Sequence, residues 1–104
     1  MEEGINTLVI SASYLMKKQV TERVHQNRSF IFKQLFALGR SADVSQLQED
    51  GPFDYVSSSS TPLSGSNHIP RELTKEEIKE YVQLFAKAAE NAIQAGFDGV
   101  EIHG

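Results

Sequence analysis

Cysteine is absent from this 104-residue chain, which excludes disulfides, thiolate metal sites and a cysteine nucleophile. A basic excess is absent as well. Ten Lys and Arg against fourteen Asp and Glu leave a formal net charge of −4, without the positive footprint that nucleic-acid binding needs. Long hydrophobic runs are missing: Leu8-Val9-Ile10 is far too short to span a bilayer. Glu2 and Glu3 stand where a secretory leader would carry positive charge. No His-x-x-x-His pair or carboxylate cluster suggests a metal site. Gly4, Gly39, Gly51, Gly65 and Gly96 are too dispersed for a phosphate-cradling loop. These absences predict a soluble, cytoplasmic protein with neither nucleic acid nor membrane as its partner.

What remains is ordinary in composition, 39% hydrophobic and 23% charged, and long enough for one small domain. Leu15 to Gln26 carries Leu15, Val20 and Val24 at helical spacing and ends at a polar break, Asn27-Arg28. Ser29 to Phe36 is rich in aromatic and β-branched residues and reads as a buried strand. Its alternation puts Phe30, Phe32, Gln34 and Phe36 on one face and Ile31, Lys33 and Leu35 on the other. Gly39 closes the segment.

Arg40 to Leu73 has no sustained period, is rich in Ser, Pro, Gly and Asp, and is expected to be a solvated surface loop. Thr74 to Ala95 is the clearest element. Thr74 and Glu77 make a T-x-x-E capping box, and Gly96 sits at the position of a C-cap. Between them Ile78, Tyr81, Val82, Phe85, Ala89, Ala92 and Ile93 form one apolar stripe. Residues 97–102 then read as a short buried strand carrying His103 at its tip. Strand, loop, helix and strand make one βαβ crossover, which joins parallel strands. One such unit plus a preceding short helix does not close a core, so an incomplete α/β layer is expected.

Two residues stand out chemically. Gln34 is an amide within an apolar strand, satisfied either by neighbouring backbone or by a ligand to which it both donates and accepts. His103 ends the second strand, with Glu101 two residues earlier and so on the same face. In (β/α)8 barrels the C-terminal ends of the strands hold the chemistry. His25 and His68 lie in helix-end and loop contexts and suggest no role.

The stretch Ser29-Phe30-Ile31-Phe32-Lys33-Gln34-Leu35-Phe36-Ala37-Leu38-Gly39-Arg40 resembles the third barrel strand of the old yellow enzyme family, FMN-dependent NAD(P)H oxidoreductases. Leu73 to Ile78 and Ala95 to Gly104 resemble that family's third helix and fourth strand, and Gly51 to Ser59 the intervening loop. The resemblance covers about Val20 to Gly104. It implies a partial (β/α)8 TIM barrel in residues 15–104, with a long loop at 40–73, behind a divergent segment at 1–14. It implies FMN as cofactor, NADPH or NADH as reductant, and an enone-type small molecule as substrate. Gln34 matches the glutamine that binds the flavin's pyrimidine edge. His103 matches the first histidine of a pair that binds the substrate oxygen and contacts the flavin. Phe36 stands where many yeast members carry a tryptophan that shapes the substrate pocket.

The rest of that family's active site has no counterpart in these residues. Lys33 replaces a residue that is usually apolar in the family, on the face that packs beneath the helices. The expectation is an internal piece of an ene-reductase that is inactive by itself. The alternative is a truncated or degenerate, non-catalytic copy.

Overall fold

A chain whose strongest periodic signal is a single helix builds outward from it. The computed structural model, which describes residues 17–104, does so in two compact units. In chain order the elements are α1 (17–26), β1 (Phe32–Leu35), a 3-10 turn (Gly39–Ser41), α2 (Val44–Asp50), β2 (Val56–Ser57), β3 (Arg71–Glu72), α3 (Lys75–Gln94) and β4 (Gly99–Ile102). The expected apolar run Leu8-Val9-Ile10 and Leu15 lie outside the described residues. Residues 17–36 and 81–104 form the first unit, and residues 37–80 the second.

In the first unit β1 and β4 pair in parallel, with Phe32 opposite Gly99, Lys33 opposite Val100, Gln34 opposite Glu101 and Leu35 opposite Ile102. The expected strands 29–36 and 97–102 are thus present, each trimmed to four residues. The ladder is extended at both ends: the Asp98 N–H donates to the Ile31 carbonyl and the His103 N–H to the Leu35 carbonyl, both at 2.9 Å.

Both helices of this unit end in the same device. After α3, the Gly96 N–H bonds the Ile93 carbonyl and the Phe97 N–H the Ala92 carbonyl, with Gly96 at φ 97°. After α1, the Arg28 N–H bonds His25 and the Ser29 N–H bonds Val24, with Arg28 at φ 58°. Each is a Schellman motif, but only one has the residue that enters the left-handed region freely. Gly96 is also needed for space, because a Cβ there would lie 2.5 Å from Thr21 Oγ1. Thr21 itself is 1% exposed, and its hydroxyl donates to the Ala95 carbonyl at 2.8 Å, tying α1 to the end of α3.

The core-facing arc of α3 differs from the expected stripe. Tyr81, Leu84, Phe85, Ala88, Ala89 and Ala92 are buried or half-buried, whereas Ile78, Val82 and Ile93 are exposed. For Val82 and Ile93 the cause is a shortage of partners, since among the described residues of this unit α3 has only α1 and one side of two strands to pack against. Among the described residues of this unit the buried hydrophobic side chains are Ala92 and Ala95.

In the second unit residues 40–73, expected as a solvated surface loop, hold a short helix and a two-stranded parallel pair. Asp43 caps α2, its Oδ1 accepting from the N–H groups of Ser45 (2.9 Å) and Gln46 (3.3 Å). A hydrogen bond donated by the Ser45 hydroxyl, and then those from the Gln46 and Ser45 N–H groups, hold its carboxyl below the usual range. β2 and β3 pair in parallel, flanked by Arg71 N–H to Tyr55 carbonyl (2.9 Å) and Leu73 N–H to Ser57 carbonyl (3.0 Å). The predicted capping box is present: Thr74 Oγ1 accepts from the Glu77 N–H (3.1 Å) and Glu77 Oε1 from the Thr74 N–H (3.0 Å).

Candidate functional site

Period-2 alternation and the β1–β4 register together decide which side chains share a surface. One face carries Ile31, Lys33, Leu35 and Val100, all half-buried, and Ile102, which is exposed at the end of β4. The opposite face carries Phe30, Phe32, Gln34, Phe36 and Glu101, all exposed. Gln34 and Phe36 therefore lie together as the alternation predicted. Continuing the register past Ile102 brings His103 level with Phe36 on the neighbouring strand. All three expected site residues thus fall at the C-terminal end of one parallel strand pair, on its open side.

Gln34 meets Glu101 directly, its Nε2 donating to Glu101 Oε1 at 3.2 Å. Its partner here is a side chain of the adjacent strand rather than neighbouring backbone. Phe32 lies over Gly99, where a Cβ would come within 2.6 Å of the ring. Gly99 is therefore the residue that lets this aromatic lie flat on the strand pair.

The strand starts are fastened by two residues without an expected role. Asp98 Oδ2 accepts from the Ile31 N–H at 2.9 Å and bonds His25 Nε2 at 2.8 Å. The hydrogen bond with His25 and then that from Ile31 hold the Asp98 carboxyl below its usual range. Seventy-three residues separate His25 from Asp98, so no local pattern could have paired them. Arg71 was missed for a similar reason. It makes a two-pronged contact with Glu77 (Nη1 to Oε1 2.8 Å, Nη2 to Oε2 2.9 Å) and reaches Asp54 at 2.9 Å. Its guanidinium and the Thr74 N–H pull the Glu77 carboxyl down to about 2, and the two carboxylates raise the Arg71 pKa in turn.

On the covered face, Lys33 lines a small apolar pocket with Leu35, Ala88, Ala92, Phe97 and Lys17. Partial burial, and then the nearby Lys33 charge, lower the Lys17 ammonium below its usual value. No described carboxylate pairs with Lys33. Among the described residues no group of three or more acidic or histidine side chains could hold a metal ion, and no helix is long and apolar enough to cross a membrane.

The donor set on the open face suits a planar heteroaromatic group. It combines flat aromatic rings with one amide that keeps a carbonyl and a second N–H available. Among the described residues it holds no Lys or Arg.

An NADP-dependent oxidoreductase, lnbE, of Aspergillus flavus is 53% identical over 87 residues, which cover 84% of this chain and 23% of that protein. A chanoclavine-I aldehyde reductase, fgaOx3, of Penicillium roqueforti is 49% identical over 86 residues, 83% of this chain and 23% of that protein. A probable inactive reductase, easA, of Epichloe festucae var. lolii is also 49% identical, over 88 residues, 84% of this chain and 23% of its own length. The chain thus spans about a quarter of the length of these relatives. Residues 11–104 match the model of one family, and on that match this chain belongs to the NADH:flavin oxidoreductase / NADH oxidase family.

Proposed function

We propose that this chain supplies the third and fourth strands of a (β/α)8 barrel that works as an FMN-dependent NAD(P)H oxidoreductase of the ene-reductase type. The observation that carries the reading is the parallel register of β1 and β4, which groups Gln34, Phe36 and His103 at one end of one open face. Bound FMN would supply hydride chemistry, taking two electrons from NADPH or NADH for delivery to an activated alkene.

The chain's own residues hold and polarise. Gln34 offers an acceptor and a donor to the pyrimidine edge of the flavin. His103 donates a ring N–H to the carbonyl oxygen of an enone-type substrate. That stabilises the negative charge building on the oxygen as hydride reaches the β-carbon, a preorganised electrostatic contribution. Phe36, beside His103, bounds the space the substrate enters. NADPH-driven reduction of a cyclic enone by the protein expressed from its full reading frame tests this. His103→Ala is expected to lower the rate by about 10²-fold, the usual cost of one such donor. An unchanged rate removes His103 from the site.

A second reading, a non-catalytic degenerate copy, is favoured by Lys33. Its charge meets no described carboxylate on the helix-covered face and lies beside another lysine, where the barrel's packing calls for an apolar residue. Some relatives, among them easA of Epichloe festucae var. lolii, carry names that describe them as probably inactive. The two readings diverge on whether the protein takes up FMN.

A further inference from the structure

Glu101 is a charged residue in the middle of β4, exposed on the open face and opposite Gln34 in the ladder. A carboxylate can only accept, so the group that Gln34 turns toward it is the NH2, at 3.2 Å. The amide carbonyl is thereby sent the other way. Without Glu101 the two ends of the amide are nearly equal in shape and can exchange places, and the surface would then offer donor and acceptor in either order.

We infer that Glu101 is a positioning residue that fixes the facing of the Gln34 amide. By doing so it selects a ligand edge in which an N–H lies beside a carbonyl, as in a cyclic imide. This rests on the reading of Gln34 as a flavin contact and adds to it the residue that gives that contact its direction. The role needs no touch between Glu101 and the ligand. Three features of the site suit it. The hydrogen bond joins two different strands whose register is held by four residue pairs. Phe32 and Phe36 flank Gln34 along β1 on the same face, leaving Glu101 as its polar neighbour on the adjacent strand. Asp98, the other acid of this segment, is already engaged by His25 and the Ile31 N–H at the far end of the strand and cannot substitute.

The test is a double-mutant cycle on the protein expressed from its full reading frame, reading FMN affinity by quenching of flavin fluorescence. Glu101→Ala is expected to weaken FMN by about tenfold, the worth of one well-placed hydrogen bond. In a Gln34→Ala background the same change should have no further effect. A second probe, FMN methylated at the imide nitrogen, separates positioning from general support of the fold. The unaltered protein should prefer FMN over the methylated form, and Glu101→Ala should narrow that preference. Glu101→Gln, equal in size and exposed, should behave in between and covers the case in which the alanine variant misfolds.

Loss of affinity of equal size in both backgrounds would overturn the inference. So would an unchanged preference between the two flavins in Glu101→Ala and Glu101→Gln while Gln34→Ala still weakens FMN. If Gln34→Ala leaves FMN affinity intact, or the unaltered protein takes up none, the underlying reading fails and the role of Glu101 falls with it.

Discussion

On one face of the β1–β4 pair Ile31, Leu35 and Val100 are half-buried beside α1 and α3; on the other Phe30, Phe32 and Phe36 stand 79%, 62% and 59% exposed. Both faces are apolar in sequence, and alternate residues of the same short strands build them. The difference lies in what covers them. The side with helices has its contacts within this unit, including the fully buried Ala92 and Ala95. The open side has three aromatic rings whose burial would each contribute on the order of 1.5–3 kcal/mol if something covered them. Within that apolar surface the polar groups, Gln34, Glu101 and the following His103, are concentrated rather than scattered. An apolar surface that carries a few convergent polar groups is the usual make-up of a ligand site.

The covered face should break first at its tightest point. Gly96→Ala forces a side chain into the left-handed region, at a cost of about 1–3 kcal/mol. It also drives a Cβ against the Thr21 hydroxyl that holds α1 to α3. A urea melt should show that loss, and an unchanged midpoint would mean the α1–α3 tie is not what holds this face.

A smaller change of opposite sign is expected from Lys33→Leu. Replacing a half-buried ammonium in an apolar pocket should stabilise the protein by about 1 kcal/mol. The Lys17 amine, relieved of one of the two causes that lower it, should titrate closer to its usual value. Both are measurable, by melting and by NMR titration of the Lys17 side chain. Destabilisation by Lys33→Leu would show that the lysine has a partner on this face.

Smallest of the three is an acid effect that contrasts the two units. Glu77 in the second is held down to about 2 and Asp98 in the first also lies below its usual value. A carboxylate depressed on folding binds fewer protons folded than unfolded, so it stabilises above its unfolded pKa and that contribution disappears as pH falls. For Glu77 the loss should run from 4.5 downward to about 2. Exposure keeps it modest. Glu77→Gln should flatten the acid limb of a melting-temperature profile, and an unaltered limb would mean that the Arg71 contact contributes nothing to stability.

How far the sequence spoke depends on the range of the interaction. Capping at Thr74 and Glu77, the Gly96 cap and the alternation of β1 are set by residues within five positions of each other, and all were legible. The helix at Val44–Asp50 was also local, with Asp43 as its cap, yet its seven residues are too few for a period to show against the Ser, Pro and Gly around it. His25 with Asp98, Gln34 with Glu101 and Thr21 with Ala95 join residues 67 to 74 apart, and only the fold brings them together. The exposed flank of α3 illustrates a different limit. Val82 and Ile93 continue the apolar period, but periodicity tells which residues could be buried and not how many partners exist to bury them.

The central claim is that the open face of β1 and β4 is a flavin-binding face. The most direct test is the absorbance spectrum of the native protein purified from its source, before and after denaturation. The account predicts a yellow protein that releases FMN when unfolded and that loses most of its colour in the Gln34→Ala variant. A colourless protein that takes up no added FMN would contradict it and leave the degenerate-copy reading in its place.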